Sequence, residues 1–360
     1  MRKYNFYAGP STLPEPVLKK LQDEILDYHS SGLSLIETSH RSKDYDQVHS
    51  QAQELIRELL EVPSNYHVLF LGGGATLQFS MIPMNLLAGG KSCDFTVSGS
   101  WAKKALSDAQ KVGNVNIIFD GKESGYTTLP DPSSVKAGQD SAYLHLTSNE
   151  TIGGVQWQNW PETGNVPVVA DMSSDIMSRK IPVEKFGIIY AGAQKNLGPA
   201  GVTVVIIRDD IAAAAPDSMT AYLNYKIHVE KQSLYNTPPV FPIWALKLNM
   251  EWVKEQGGVA EMQKRSDKKS GLIYDVIDSN GGFYSSPVDN SCRSKMNVVF
   301  RLPSEDLEKE FVAQAGELGM LGLKGHRSVG GIRASVYNAL PVKAVEVLAD
   351  FMKDFASKKG

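Results

Sequence analysis

Short apolar runs alternate with longer stretches of helical periodicity over the first 256 residues. Apolar runs bounded by glycine or polar residues are typical of buried strands, and the longer stretches at 75–87 and 100–111 are typical of helices. Strands that alternate with helices favour an α/β fold with a largely parallel sheet covered on both faces. The sheet strands predicted in this way span residues 67–71, 94–97, 116–119, 142–146, 166–170, 188–191 and 202–207.

The pattern changes near Gly257, the first of two consecutive glycines. The elements predicted beyond this point are a charged helix at 262–278, a strand at 297–302, a helix at 304–318, a β-like stretch at 332–337 and a last helix at 342–355. This order is typical of an α+β unit. We therefore expect a large domain with the mainly parallel seven-stranded sheet over residues 1–256, and a smaller α+β domain over 257–360.

Composition places the chain among ordinary soluble globular proteins. Hydrophobic residues make up 42% and charged residues 21% of the 360 positions, with a formal net charge of −3. The absence of long Lys/Arg blocks argues against binding to nucleic acid or a membrane surface. No apolar stretch has the length of a signal peptide or a membrane span, so we expect a cytoplasmic protein with reduced Cys93 and Cys292. The histidines show no metal-binding spacing, and no metal is expected.

Lys195 lies between two of the predicted strands, in a segment of small residues with turn-forming Gly198 and Gly201. A charged ammonium group beside buried strands is energetically unfavourable, so a lysine at this position needs an explanation. One explanation is that the lysine is uncharged and bound as a Schiff base to a carbonyl cofactor. The alternative is a surface lysine on a glycine-rich loop, and Lys195 by itself does not decide between the two.

Other candidate side chains follow the predicted strands, where parallel sheets bind ligands. Asp171 could keep a pyridine nitrogen protonated or could cap a helix. Trp101 could stack on a flat ring or pack in the core. Thr151 lies in a polar, glycine-rich segment after another strand. The Gly-Gly-Gly-Ala-Thr turn at 72–76 could bind an anion at a helix N-terminus or be a tight turn only.

Acidic residues are absent between positions 317 and 346, although the stretch is rich in basic ones. Unpaired cations on a glycine-rich loop indicate an anionic ligand. His40 and Arg41 form a second basic candidate, although Glu37 and Asp44 are close enough in sequence to pair with them. Two basic sites would suit a substrate with two anionic ends. The basic residues of the late stretch are Lys324, His326, Arg327, Arg333 and Lys343.

Ordered motifs extend over nearly the whole chain. They are Asn-Phe-Tyr-Ala-Gly-Pro at 5–10, Glu-Thr-Ser-His-Arg-Ser at 37–42, the turn at 72–76, Asn-Glu-Thr-Ile-Gly-Gly at 149–154, the lysine segment at 186–201, Tyr-Asn-Thr-Pro-Pro at 235–239 and the basic stretch at 323–335. Together they resemble the phosphoserine aminotransferases, pyridoxal-phosphate enzymes of the fold-type I, class V aminotransferase group. The resemblance implies that fold and a homodimer with active sites at the subunit interface.

The resemblance also implies a role for each candidate residue. Lys195 would hold pyridoxal 5′-phosphate as a Schiff base, with Asp171 at the pyridinium nitrogen, Trp101 on the ring and Thr151 at its polar edge. The residues that would bind the cofactor phosphate are Ala75, Thr76 and Gln194, with Asn236 and Thr237 from the second subunit. The residues that would hold the substrate's phosphate or distal carboxylate are His40, Arg41, His326 and Arg327, and Arg333 would hold its α-carboxylate.

The implied reaction is the reversible transamination between O-phospho-L-serine and 2-oxoglutarate in serine biosynthesis. The phosphorylated hydroxy-amino acid of vitamin B6 synthesis is a further candidate substrate. Another class V enzyme, either a cysteine desulfurase or a small-amino-acid aminotransferase, is the nearest alternative, and a non-catalytic protein that binds a phosphorylated metabolite is another. The chain departs from the family pattern at Tyr7, where many members have Ser, and at Leu77, where some relatives carry Arg.

Overall fold

A seven-stranded sheet forms the central layer of the structure, a computed structural model that describes residues 2–360. After the short strand β1 (Tyr4–Asn5), its strands are β2 (Tyr66–Leu71), β3 (Ser92–Val97), β4 (Asn114–Asp120), β5 (Leu144–Thr147), β6 (Val168–Asp171), β7 (Phe186–Gly192) and β8 (Thr203–Arg208). They lie in the order β2-β8-β7-β6-β5-β3-β4. Every neighbouring pair is parallel except the two pairs of β8, which is antiparallel to β2 and β7. The mainly parallel seven-stranded sheet predicted from the sequence is confirmed.

Apolar clusters cover the two faces of this sheet. Along β6, Val168 and Ala170 belong to one cluster, whereas Val169 belongs to the other. A continuous apolar run is what a strand buried on both faces requires. Each fully buried aliphatic side chain contributes about 1.5–3 kcal/mol to the free energy of unfolding. The helices of this part of the chain are α1 (Glu15–Glu24), α2 (Lys43–Leu59), α3 (Gly74–Leu86), α4 (Ser100–Val112), α5 (Asp209–Ala213), α6 (Tyr225–Glu230) and α7 (Val240–Glu255).

A second apolar core lies in the C-terminal part, where helices pack on a two-stranded antiparallel sheet. Its elements are α8 (Gly258–Ser279), β9 (Asn297–Phe300), α9 (Glu305–Glu317), β10 (Met320–Leu321), β11 (Ile332–Ser335) and α10 (Val342–Lys359). Strand β9 pairs with β11, and β10 pairs in parallel with β1. Phe6 is therefore part of this core, although it is near the start of the chain.

Helix α8 connects the two cores, because it contributes Val259 to the first and Ile273 to the second. The division of the chain at residue 257 stays a prediction. None of the helices within residues 2–360 combines the length and the apolar character that a membrane span requires.

Candidate active site

The carboxyl ends of four neighbouring parallel strands, β3, β5, β6 and β7, meet at one edge of the sheet. Each of these strands is followed by, or ends in, one of the candidate residues. Trp101 follows β3, Thr151 follows β5, Asp171 is the last residue of β6, and Lys195 follows β7. Since this edge is where parallel sheets bind ligands, the strand order brings the four side chains to one place.

The side chain of Lys195 points into this edge and is buried, with a relative exposure of 9%. Its Nζ donates a hydrogen bond to Thr151 Oγ1 at 2.6 Å and lies 5.7 Å from the centroid of the Trp101 ring. The N-terminal segment covers the lysine from outside, because Ser11 Oγ donates to the carbonyl oxygen of Lys195 at 2.5 Å. Lys195 therefore does not lie on a surface loop.

Burial shifts the pKa of Lys195 toward neutral pH. It lowers the pKa of Lys195 to about 8, while the nearby carboxylates of Asp171 and Glu150 act in the opposite direction. Burial also raises the pKa of Asp171, and the charge of Lys195 opposes that change. With this pKa about a tenth of Lys195 is the neutral amine at pH 7, far more than for an ordinary lysine, and the neutral amine is the form that attacks carbonyl groups.

Asp171 keeps its carboxylate available at the end of β6. One carboxylate oxygen accepts a hydrogen bond from the backbone N–H of Ser173 at 2.8 Å, and no ion pair to Asp171 occurs within residues 2–360. The residues after it form turns rather than an α-helix, so the helix-cap alternative is wrong. Ser173 Oγ also accepts from the N–H of Gly192 at 3.1 Å, which ties the ends of β6 and β7 together.

Glu150 is a buried residue of the site that sequence reasoning missed. Its two carboxylate oxygens accept from the backbone N–H groups of Trp101 at 3.1 Å and Ala102 at 2.9 Å, so it caps the first turn of α4. A Cβ atom on Gly99 would lie 2.6 Å from Glu150 Cδ, so only glycine leaves room for the carboxylate. Burial raises the pKa of Glu150 to about 7, and the two N–H groups oppose this. Glu150 thus fixes the backbone that carries Trp101.

The expected cofactor can be tested against groups that lack a partner in this site. The indole Nε1 of Trp101 is buried and has no hydrogen-bond partner within residues 2–360. Helix α3 starts after left-handed Gly73 (φ 82°), and the N–H groups of Ala75 and Thr76 in its first turn have no acceptor within the helix. Such N–H groups attract phosphate. Together with the amine of Lys195 and the unpaired carboxylate of Asp171, these residues fit pyridoxal phosphate.

Gln194, the other predicted phosphate ligand, is half-buried next to Lys195. Its backbone carbonyl accepts from the N–H of Ser11 at 3.0 Å, and its amide group packs over Gly192, where a Cβ atom would lie 2.6 Å from Gln194 Oε1. Gly192 therefore leaves room for the side chain of Gln194 beside the lysine.

Arg333 brings a cation from the C-terminal part to the same place. It lies on β11, and its Nη1 donates to the carbonyl oxygen of Thr151 at 3.1 Å, while its buried Nε has no partner within the described residues. Arg333 and His326 line a cavity of about 290 Å³, and Ser100 and Ile152 are further lining residues. The structure thus connects the predicted α-carboxylate ligand to the threonine that contacts Lys195.

His326 is a neutral hydrogen-bond donor in this structure. The backbone N–H of Ser328 donates to His326 Nδ1 at 3.2 Å, so the ring proton is on Nε2. Burial lowers the pKa of His326, and the charges of Arg333, Arg327 and Lys104 lower it further. An anion at this place would meet the Nε2–H group of His326.

The other predicted ligands lie at the surface of the chain. None of them forms a hydrogen bond or an ion pair with Lys195, Asp171 or Thr151 among residues 2–360. The local pairing of His40 and Arg41 with nearby carboxylates is also not seen in this part of the chain. These ligands are Arg41, Arg327, Asn236 and Thr237, which are exposed, and His40, which is half-buried.

Comparisons with known proteins agree over the whole chain. The sequence model of the family Aminotransferase class-V matches residues 3–348. The phosphoserine aminotransferase of Geobacillus kaustophilus (strain HTA426) is 52% identical over 354 residues, which cover 98% of each chain. That of Laribacter hongkongensis (strain HLHK9) is 50% identical over 360 residues, with both chains covered completely.

Solved structures give the same result. The phosphoserine aminotransferase from Bacillus circulans subsp. alkalophilus superposes with a TM-score of 0.98 at 49% identity, and the alignment covers 100% of this chain and 99% of the other. A pyridoxal-phosphate-bound phosphoserine aminotransferase from Trichomonas vaginalis has a TM-score of 0.90 at 37% identity, with 98% and 100% of the chains covered. Both comparisons confirm the resemblance inferred from the motifs. This chain belongs to the class V aminotransferase family.

Proposed function

We propose that this chain is a pyridoxal-phosphate-dependent aminotransferase that transfers the amino group of O-phospho-L-serine to 2-oxoglutarate, giving 3-phosphohydroxypyruvate and L-glutamate. The observation that carries the proposal is the buried amine of Lys195, held by Thr151 beside the free carboxylate of Asp171. The names of the full-length relatives, at about half identity, support the choice of substrate.

Each residue of the site has a chemical task. Pyridoxal phosphate, when bound, supplies an aldehyde that condenses with amines and a ring that withdraws electrons from the substrate's α-carbon. Lys195 Nζ would be the attachment point for this aldehyde and would act as the general base that moves the proton at the α-carbon. Asp171 favours the protonated form of a ring nitrogen because an anion stabilises the adjacent cation. Trp101 provides a flat surface that orients the ring.

Basic residues in and beside the cavity support the proposed substrate class. We assign Arg333 to the α-carboxylate, because its planar guanidinium can bind a carboxylate through two parallel hydrogen bonds. The Nε2–H group of His326 and the exposed guanidinium of Arg327 are assigned to the phosphate or distal carboxylate. We assign His40 and Arg41 to the same group on the basis of the family motif at 37–42.

We also propose a homodimer in which Asn236 and Thr237 reach the cofactor phosphate of the second subunit. Both are exposed, and they lie between Tyr235 and Phe241, which expose 47% and 37% of their surface. Exposed aromatic residues next to polar ones are typical of subunit interfaces. The cytoplasmic location also remains part of this proposal.

The cysteine desulfurase alternative requires a reactive thiol on a mobile loop. Cys292 is buried, and its Sγ lies 3.5 Å from the carbonyl oxygen of Asp289. Burial raises the pKa of the Cys292 thiol to about 11, so the thiolate is scarce at neutral pH. The other thiol, Cys93, is buried in the core next to β4. Neither thiol favours desulfurase chemistry.

A coupled assay with phosphoserine and 2-oxoglutarate tests the proposed reaction, with serine and alanine as controls. We expect turnover with phosphoserine and far less with the other two. Comparable activity with alanine would favour a small-amino-acid aminotransferase, and sulfide release from cysteine would favour a desulfurase. A coupled assay with 4-phosphohydroxy-L-threonine decides whether the vitamin B6 substrate is used.

The role of Lys195 has a separate test. Borohydride reduction of the protein with pyridoxal phosphate should attach the cofactor to the peptide that contains Lys195. Lys195→Ala should lose this label and at least about a hundredfold of turnover, which is the usual contribution of a general base. Lys180→Ala, a change at a lysine with 66% side-chain exposure, should keep both. A wild-type protein without label or turnover would instead indicate a non-catalytic binding protein.

A further inference from the structure

One ion pair holds the loop 325–331, which carries His326. Arg301 directly follows β9, and its Nη1 lies 3.4 Å from both carboxylate oxygens of Glu308 on α9. The Nη2 group of Arg301 donates to the carbonyl oxygen of Val329. Glu308 in turn accepts from the backbone N–H of Gly331 at 3.1 Å. The two partners therefore bind the loop backbone at positions on either side of Gly330.

The loop backbone closes directly onto Arg301. Gly330 and Gly331 both have left-handed backbone angles, with φ of 70° and 71°. A Cβ atom at Gly330 would lie 2.8 Å from Arg301 Nη1, and one at Gly331 would lie 2.9 Å from Arg301 Cδ. At the other end of the loop, a Cβ atom at Gly325 would lie 1.9 Å from the carbonyl oxygen of Gly330. Glycine at these positions lets the loop wrap around the arginine.

We propose that Arg301 and Glu308 are positioning residues, which hold the loop so that His326 and Arg327 face the distal anion of the substrate. This inference rests on the function proposed above. Arg301 also lines the cavity of His326 and Arg333, so it could instead bind the anion itself. Its hydrogen bonds argue against that, because they go to a backbone carbonyl and to a carboxylate that neutralises the guanidinium.

Removing the charge of Glu308 separates the two roles by the sign of its effect. If Arg301 binds the anion, Glu308→Gln removes the carboxylate that neutralises the Arg301 guanidinium. The anion should then bind more tightly, and the KM for phosphoserine should fall. If the pair positions the loop, the same change should raise the KM about two- to fivefold, which is the range of a partly exposed ion pair. Glu308→Ala also removes the acceptor of the Gly331 N–H, so its KM should rise further.

The closing experiment measures KM and kcat for phosphoserine, together with inhibition by inorganic phosphate, in Glu308→Gln, Glu308→Ala and Arg301→Lys. The control is Glu346→Gln, which breaks two exposed ion pairs, with Lys268 and Lys343, elsewhere in the same part of the chain. We expect weaker phosphoserine and phosphate binding in the three variants, an unchanged kcat, and an unchanged single-turnover rate with L-serine, which lacks the phosphate. An equal loss with L-serine, or tighter phosphate binding, would refute the positioning role.

Limited trypsin digestion gives a result that does not depend on the reaction. Lys324 and Arg327 are exposed cleavage positions at the loop, and we expect faster cleavage there in the Glu308 and Arg301 variants than in the control. Cleavage at the wild-type rate would contradict the inference. If the wild-type enzyme does not use phosphoserine, the proposed function fails, whereas the trypsin and phosphate-inhibition results still decide whether the pair holds the loop.

Discussion

Thr151 Oγ1 accepts a hydrogen bond from Lys195 Nζ at 2.6 Å, and both groups are buried. A hydrogen bond of this kind favours the charged form of the lysine, whereas burial favours the neutral form. Burial lowers the pKa of Lys195 to about 8, and the nearby carboxylates of Asp171 and Glu150 oppose that change. Because the carbonyl oxygen of Thr151 also binds Arg333, this threonine connects the amine to the proposed α-carboxylate site.

Replacing Thr151 with valine removes the acceptor and keeps the shape of the side chain. We expect the pKa of Lys195 to fall below its value near 8 by about one unit, the equivalent of a hydrogen bond to a charged group. The rate at which the cofactor-free protein captures pyridoxal phosphate, measured against pH, reports this value, since only the neutral amine reacts. Thr151→Ser retains the hydroxyl and should retain the pH profile. A profile that moves to higher pH in the valine variant would show that the hydroxyl does not stabilise the ammonium.

Glu150→Gln should weaken the start of α4. The carboxylate accepts from two N–H groups, whereas an amide has one acceptor oxygen and would turn its NH₂ group toward a donor. We expect a loss of about 1–3 kcal/mol in the free energy of unfolding, measured by urea denaturation, because a buried N–H is left without a partner. The near-ultraviolet circular dichroism should change as well, since Trp101 is the first residue bonded to Glu150. Glu123→Gln, a change at an exposed carboxylate, should have neither effect.

The sequence predicts the central sheet and the site residues that follow its strands, because both depend on the pattern of buried apolar runs. Strands buried on both faces leave continuous apolar runs, and the residue after each run must lie at the ligand-binding edge, which locates Trp101, Thr151, Asp171 and Lys195. Glu150 could not be identified in this way, because its partners are the backbone N–H groups of Trp101 and Ala102 on α4. These groups are distant in sequence, and only the tertiary fold brings them to Glu150.

Two other parts of the site also depend on contacts that the sequence pattern does not reveal. The sequence contains no acidic residue near His326 that could pair with the basic residues there. In the structure, however, Glu308 on α9 accepts a hydrogen bond from the backbone N–H of Gly331 in the same loop. The roles proposed for Asn236 and Thr237 depend on a second subunit, and the pattern of apolar and polar residues along one chain does not encode the position of its neighbour.

Two glycine substitutions should have opposite effects on stability. Gly99→Ala places a methyl group 2.6 Å from a carboxylate carbon that two hydrogen bonds hold in place, and overpacking of this kind costs about 1–3 kcal/mol. Gly271 lies inside α8 with no atom near its added Cβ, so Gly271→Ala should stabilise the protein by about 0.5–1 kcal/mol through helix propensity. Urea denaturation of both variants tests the pair. Equal effects on stability would mean that the space around Gly99 is not filled as described.

Lys269 should make the stability depend on alkaline pH. It is fully buried on α8, and its Nζ donates to the carbonyl oxygens of Tyr337 at 2.5 Å and Leu340 at 3.1 Å. No carboxylate forms an ion pair with it among the described residues. Burial, helped by the charge of Arg265, lowers the pKa of Lys269 from 10.5 to about 7 in the folded protein.

Between these two pKa values the unfolded chain binds the proton and the folded protein does not, so the free energy of unfolding rises with pH. We expect the wild type to gain stability relative to Lys269→Met, by a few kcal/mol in order of magnitude, as the pH rises from about 7 to 10.5. Below the lower value both states are protonated and the difference should level off. Lys353→Met, at a lysine with 65% side-chain exposure, should follow the wild type throughout. A constant difference between wild type and Lys269→Met over this range would show that Lys269 titrates as an ordinary lysine in the folded protein.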